Sequence, residues 1–205
     1  MKKKIIALVG FATIVAASLA FKGGDMLNIG EKAPMSDVKM KDVSGKTYSL
    51  KDLKKENGLL VVFSCNTCPF VLGWEDTYPG LGELTQENKV GMVLVNSNEA
   101  KRGNDDSFEA MKDHYKSASY NTPYVMDEKH KLADAFGAKT TPHVYLFDKD
   151  MELVYRGSID DKYEERKENP DKTYLEDAIK AMVNGKTIDP AETRQIGCSI
   201  KRVKA

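Results

Sequence analysis

The sequence predicts an α/β protein: a mixed central sheet flanked by helices, with a hairpin extension at its N-terminal side. Continuous apolar, β-prone runs recur at Leu59–Phe63, Val90–Val95 and Val144–Phe147, as strands buried on both faces require. Helical spacing separates them, with Phe108, Met111 and Tyr115 on one face and Leu132, Ala133 and Phe136 on another. A terminal hairpin and helix close the pattern, and alternation of this kind describes a layered sheet-and-helix domain.

The elements follow in order. Gly45 separates two short extended pieces ending at Leu50, a hairpin. The run at Leu59–Phe63 is the central strand and ends directly at Cys65. Pro79-Gly80 is expected to end or kink the helix after it. Val90–Val95 is closed by Asn96, Ser97 and Asn98, and a short extended piece follows at Tyr124 and Val125. Asp148–Asp150 form an acidic turn from Val144–Phe147 to an antiparallel partner at Leu153–Arg156. Thr173 with Glu176 reads as a capping box for a last helix with core face Leu175, Ala178, Ile179 and Met182, stopped near Gly185.

The chain has 205 residues, the size of one domain. Lys2, Lys3 and Lys4 precede an uncharged, mostly apolar run from Ile5 to Phe21, an export signal with small residues Ser18 and Ala20 at a cleavage site. Left uncleaved, the run would act as a short membrane anchor. The expected organisation is therefore signal peptide or anchor over 1–20, linker over 21–28, one domain over 29–201 and a solvated basic tail over 202–205. The expected location is outside the cytoplasm, in the periplasm or cell envelope of a bacterium. Losing the signal removes three lysines and leaves 28 basic against 31 acidic residues. No basic stripe remains, which argues against a nucleic-acid partner.

Three cysteines in an exported chain are too few for a disulfide scaffold, and a close pair with one distant partner is a redox or metal pattern. Cys65 and Cys68 lie where a strand leads into a helix. A disulfide between such neighbours is redox-labile, and a thiolate at a helix start is stabilised by free backbone N–H groups and the helix dipole. Pro69 favours the first helical position, which makes Cys68 the N-cap. Cys68 is thus expected to be the lower-pKa nucleophile and Cys65 its resolving partner. Beyond this redox disulfide no cofactor is expected.

The strand leading into Cys65-Asn66-Thr67-Cys68-Pro69, with Thr141-Pro142 opening a later strand, resembles the thioredoxin superfamily, and its peroxiredoxin-like branch in particular. The opening Ile29-Gly30-Glu31-Lys32-Ala33-Pro34, the stretch Asn96-Ser97-Asn98, Tyr155-Arg156-Gly157 and Gly197-Cys198-Ser199-Ile200-Lys201 share the likeness. The resemblance implies a thioredoxin-like fold with a cis Thr141-Pro142 bond against the redox sulfur, and Thr141 offering backbone hydrogen bonds to a bound peptide. It places Cys68 over the superfamily's nucleophile. Val71 then stands at the usual second cysteine and Val62 at the usual buried carboxylate. The proline and threonine that peroxiredoxins place seven and three residues before their cysteine are replaced by Val61 and Cys65, or by Gly58 and Val62.

Cys198 reads either as a small buried hydrophobe or as a third redox thiol. His143 raises an alternative metal site with Cys65 and Cys68, resembling copper-delivery relatives of the fold, although strand alternation points it away from whatever Pro142 faces. Trp74 and Phe70 read as core. His114, His130, Glu75 and Asp76 read as solvent-facing, and Arg156 as an edge-strand ion pair. Three functions follow: a thiol–disulfide oxidoreductase working on protein thiols or disulfides with a redox partner protein, a thiol peroxidase, and a metal chaperone.

Overall fold

The computed structural model describes residues 25–164 and 169–203. The expected signal or anchor over 1–20 lies outside them. No helix of the described residues is long and apolar enough to cross a membrane.

The hairpin forms β1 (Met40–Asp42) and β2 (Thr47–Tyr48) about Gly45, whose φ of 87° suits glycine. The second extended piece stops at Tyr48, two residues before Leu50. There Ser49 and Asp52 build a capping box for a short helix, α1 (Leu50–Leu53), which the hairpin reading passed over. β3 (Gly58–Ser64), β4 (Val90–Asn96), β5 (Tyr124–Met126), β7 (His143–Phe147) and β8 (Leu153–Gly157) complete a seven-stranded sheet in the order β2-β1-β5-β4-β3-β7-β8. β3 runs parallel to β4 and antiparallel to β7, with Val62 opposite Val144 and Phe63 opposite His143. Every residue of β3, β4 and β7 is buried, as the unbroken apolar runs require.

The sheet has a core on each face. Leu60, Val62, Val144 and Leu146 point to one, which also holds Cys65, Cys68 and Trp74; Val61, Phe63, Tyr145 and Phe147 point to the other, with Leu27 and Phe136. Helices α2 (Pro69–Leu72), α3 (Tyr78–Glu87), α4 (Phe108–Ser117), α5 (Lys131–Phe136) and α6 (Tyr174–Val183) surround it. A second sheet pairs β6 (Thr140–Thr141) antiparallel with β9 (Cys198–Ser199), with Thr141 opposite Cys198.

Several local expectations change. The helix after the cysteines ends at Gly73, and Pro79 starts the next helix instead of ending this one, occupying the first turn of α3 where a missing N–H costs nothing. Thr173 caps α6 without a side-chain bond to the backbone; its hydroxyl donates to Asp177 at 3.1 Å. The linker expected over 21–28 is, at its described end, part of the core. Leu27 is fully buried, its N–H donates to Phe136 O at 3.1 Å and its carbonyl accepts from Arg156. The tail is also anchored at Arg202, which pairs with Asp134 at 2.7 Å and donates to Ala138 O at 2.6 Å. Desolvated carbonyls that need donors explain both departures.

Candidate functional site

β3 ends at Ser64, and the chain turns through Cys65, Asn66 and Thr67 before α2 begins. Cys68 is its N-cap, in extended conformation, with Pro69 in the first turn, as the proline implied. Both sulfurs reach the same residue of a distant strand: Cys68 Sγ lies 3.0 Å from Thr141 O and Cys65 Sγ 3.3 Å from Thr141 Oγ1. The Thr141–Pro142 bond is cis. Cys198, opposite Thr141 on β9, brings its thiol within hydrogen-bonding reach of Cys68. All three cysteines are free thiols.

The two close thiols differ sharply in acidity. The Cys65 thiol, donating to the Cys68 sulfur, is the largest cause holding Cys68 well below the usual thiol range; burial opposes it, and the Cys198 thiol and Val71 N–H act with it. A neutral Cys68 instead donates to Thr141 O, so ionisation exchanges one donated bond for several accepted ones. Cys65 is pushed up by that same bond to Cys68, then by burial and by the Asp106 charge, with Thr141 opposing. The dipole of a one-turn helix is a small contributor, so direct donors replace the macrodipole as the source of the shift.

What holds this loop in place is a buried polar network that the sequence reading missed. Asp106, fully buried, accepts from Asn66 N at 2.9 Å, Asn96 Nδ2 at 2.7 Å and Asn98 Nδ2 at 3.0 Å. Tyr124 Oη donates to Asn66 Oδ1 at 2.8 Å, and Arg102 donates to Asn96 Oδ1 and Asp106 O. The signal available in sequence was Asn96-Ser97-Asn98, three polar residues closing a buried strand; that the two asparagines share Asp106 while Ser97 donates to Asp127 is visible only in three dimensions. On the other side, Tyr163 packs edge-on against Phe70 and Trp74, at 5.1 and 4.5 Å between ring centres. Trp74 is fully buried and donates to Asp160 at 2.8 Å, while Phe70 is partly buried.

His143 does not join the cysteines. It lies on the opposite sheet face, its ring against Tyr145, and burial holds it neutral with a pKa lowered to about 3. Among the described residues no group of three His, Cys, Asp or Glu side chains could hold a metal ion. His114 and Glu75 are not solvent-facing but paired at 2.8 Å with Tyr120 beside them, and His130 binds Asp134 at 2.7 Å. Arg156 forms the expected ion pair, with Glu192 at 2.9 Å.

A sheet of this order, with a two-cysteine loop after a central strand and a cis proline beside it, defines a thioredoxin-like protein. Residues 29–156 match the AhpC/TSA family model, and the chain belongs to that family. No curated protein matches it significantly. Among solved structures it is similar to a conserved uncharacterised protein of Geobacillus kaustophilus, at 31% identity over 89% of this chain and 96% of that one, with a TM-score of 0.81. Peroxidoxin BcpB of Mycobacterium tuberculosis aligns at 14% identity over 78% of this chain and 97% of its own, TM-score 0.58. A secreted disulfide oxidoreductase of the same organism, homologous to DsbE of E. coli, aligns at 13% identity over 72% and 95%, TM-score 0.52. At such identities the last two speak for the fold alone.

Proposed function

We propose that this chain is an exported thiol–disulfide oxidoreductase of the periplasm or cell envelope, with Cys68 as nucleophile and Cys65 as resolving thiol. The observation that carries the reading is geometric: Cys68 caps α2, and both sulfurs converge on Thr141 beside the cis Thr141–Pro142 bond, an arrangement in which the Cys65 thiol pulls Cys68 down and is itself held protonated. Cys68 thiolate attacks a substrate disulfide, one substrate sulfur leaves as thiolate, and a mixed disulfide forms. Cys65, once its proton passes to the departing thiolate, attacks the Cys68 sulfur and releases the substrate. The protein ends oxidised and the substrate reduced by two electrons, and a partner protein dithiol restores the start. With a more oxidising partner the same steps run in reverse.

The family membership favours a second reading, a thiol peroxidase, in which the Cys68 thiolate attacks a peroxide oxygen, water or an alcohol leaves, and Cys198 or an external thiol condenses with the sulfenic acid and releases water. Seven and three residues before Cys68 stand Val61 and Cys65, which leaves that site without the proline and threonine that peroxiredoxins use. Two measurements separate the readings. Redox titration of the unmutated chain and of Cys198→Ser should show a reversible Cys65–Cys68 disulfide that Cys65→Ser and Cys68→Ser lack; if it forms in neither at any potential, the oxidoreductase reading fails. Reduced protein mixed with peroxide should lose Cys68 thiolate no faster than a free thiol of equal acidity, and faster loss would favour the peroxidase.

A further inference from the structure

Cys65 and Cys68 are 2% and 4% exposed, yet a thiol that exchanges with protein disulfides must receive another chain's sulfur. The cover is built from this chain. β9 pairs with β6 in antiparallel register, so Cys198 faces Thr141, the residue whose carbonyl lies 3.0 Å from Cys68 Sγ. An extended segment delivering a cysteine to Cys68 along an edge strand would take that arrangement. Gly197 permits it, because a Cβ there would overlap Thr141 O.

This segment is anchored on both sides of its span. Beyond the strand, Ile200 N donates to Lys139 O at 3.0 Å, Lys201 N to Asn98 Oδ1 at 2.8 Å, and Arg202 binds Asp134. Before it, Thr193 and Arg194 are tied to Ser158 at 2.9 and 2.8 Å. Gln195 to Cys198 span the gap between these anchors over the redox loop, and the β6 ladder lies at its end.

We propose that β9 is an internal stand-in for a substrate strand: Cys198 exchanges into a Cys68–Cys198 disulfide, and a protein substrate reaches Cys68 only by displacing β9 from Thr141. The inference rests on the oxidoreductase reading. The exchange needs no outside oxidant once Cys65–Cys68 has formed. Cys198 sulfur attacks Cys68 Sγ, the Cys65–Cys68 bond breaks, and the proton leaving Cys198 ends on Cys65, so one disulfide and one thiol remain. Burial, then the hydrogen bond to the Cys68 sulfur and the Cys68 charge, hold the Cys198 proton on in the reduced protein; in the disulfide form that charge is gone.

The full chain tests this with oxidised glutathione as oxidant and peptide mapping under non-reducing conditions. Cys65→Ser should end with Cys68 linked to Cys198; a stable glutathione adduct on Cys68 with Cys198 free would overturn the exchange. Cys198→Ser should still form Cys65–Cys68, and if it does not, the oxidoreductase reading fails independently of β9. Gly197→Val, checked for folding by circular dichroism, should react several-fold faster than wild type with a disulfide-bridged reporter peptide. An equal or slower rate in the folded variant would refute the displacement.

Discussion

Replacing Cys65 by alanine tests the origin of the Cys68 acidity. The Cys65 thiol is the largest single cause of the lowered pKa, and a hydrogen bond to a charged group contributes about 1.5–3 kcal/mol. One pKa unit corresponds to about 1.36 kcal/mol, so Cys65→Ala should raise the Cys68 pKa by about one to two units. The Val71 N–H and Cys198 thiol remain, so the value should stay below that of a free cysteine, about 8.5. Thiolate absorbance against pH, cross-checked by the rate of iodoacetamide alkylation, reads the midpoint directly. Cys198 is held above the ordinary thiol range, chiefly by burial, so the lower of the two titrations belongs to Cys68. An unchanged midpoint would mean that the donor hydrogen bond is not what stabilises the thiolate, and the split between the two thiols would lose its explanation.

Further outcomes follow from the same contacts. In the reduced protein, Cys68 binds its proton more weakly when folded than unfolded, so stability should rise with pH up to the unfolded thiol pKa of about 8.5. Cys65, shifted the other way, should then make stability fall above it; a urea-midpoint profile with no maximum in that region would contradict both shifts. Asp106→Ala leaves Asn66 N and the amides of Asn96 and Asn98 without their acceptor, each worth about 1–3 kcal/mol if left unsatisfied, and should cost at least about 3 kcal/mol by urea denaturation. A loss under 1 kcal/mol, on the order of a surface change, would show that the network does not hold the loop. Gly73→Ala puts a methyl where the Tyr163 hydroxyl lies, so the ring should swing off Trp74; because a flexible side chain yields, the stability loss should stay under about 2 kcal/mol. Trp74 is the chain's one tryptophan, so its fluorescence should shift to the red, and an unchanged spectrum would refute the contact.

The boundary between what was legible and what was not runs along sequence separation. Strands β3, β4 and β7 were visible because burial on both faces demands unbroken apolar runs. The helix start at Cys68 was visible because Pro69 restricts its own backbone. Family-like stretches extended this to the cis Thr141–Pro142 step. Local departures have local causes: a one-turn helix at Leu50 is too short to show a period, and a proline that suits the first turn of a helix looks the same in sequence as one that ends a helix, as at Pro79.

By itself, then, the sequence determined the α/β class, the order of the main strands and which cysteine caps the helix, since each depends on steric preference or periodicity within a few residues. Only the tertiary structure decided that Asp106 serves three amides around the redox loop, that Leu27 and Arg202 belong to the body, and that His143 and the cysteines lie on opposite faces. It also brought Cys198 against Thr141 and Cys68, a meeting of residues far apart in the chain. Such contacts are created by closing the sheet, when buried polar atoms must find partners wherever folding places them, and neither composition nor spacing records which partners those are.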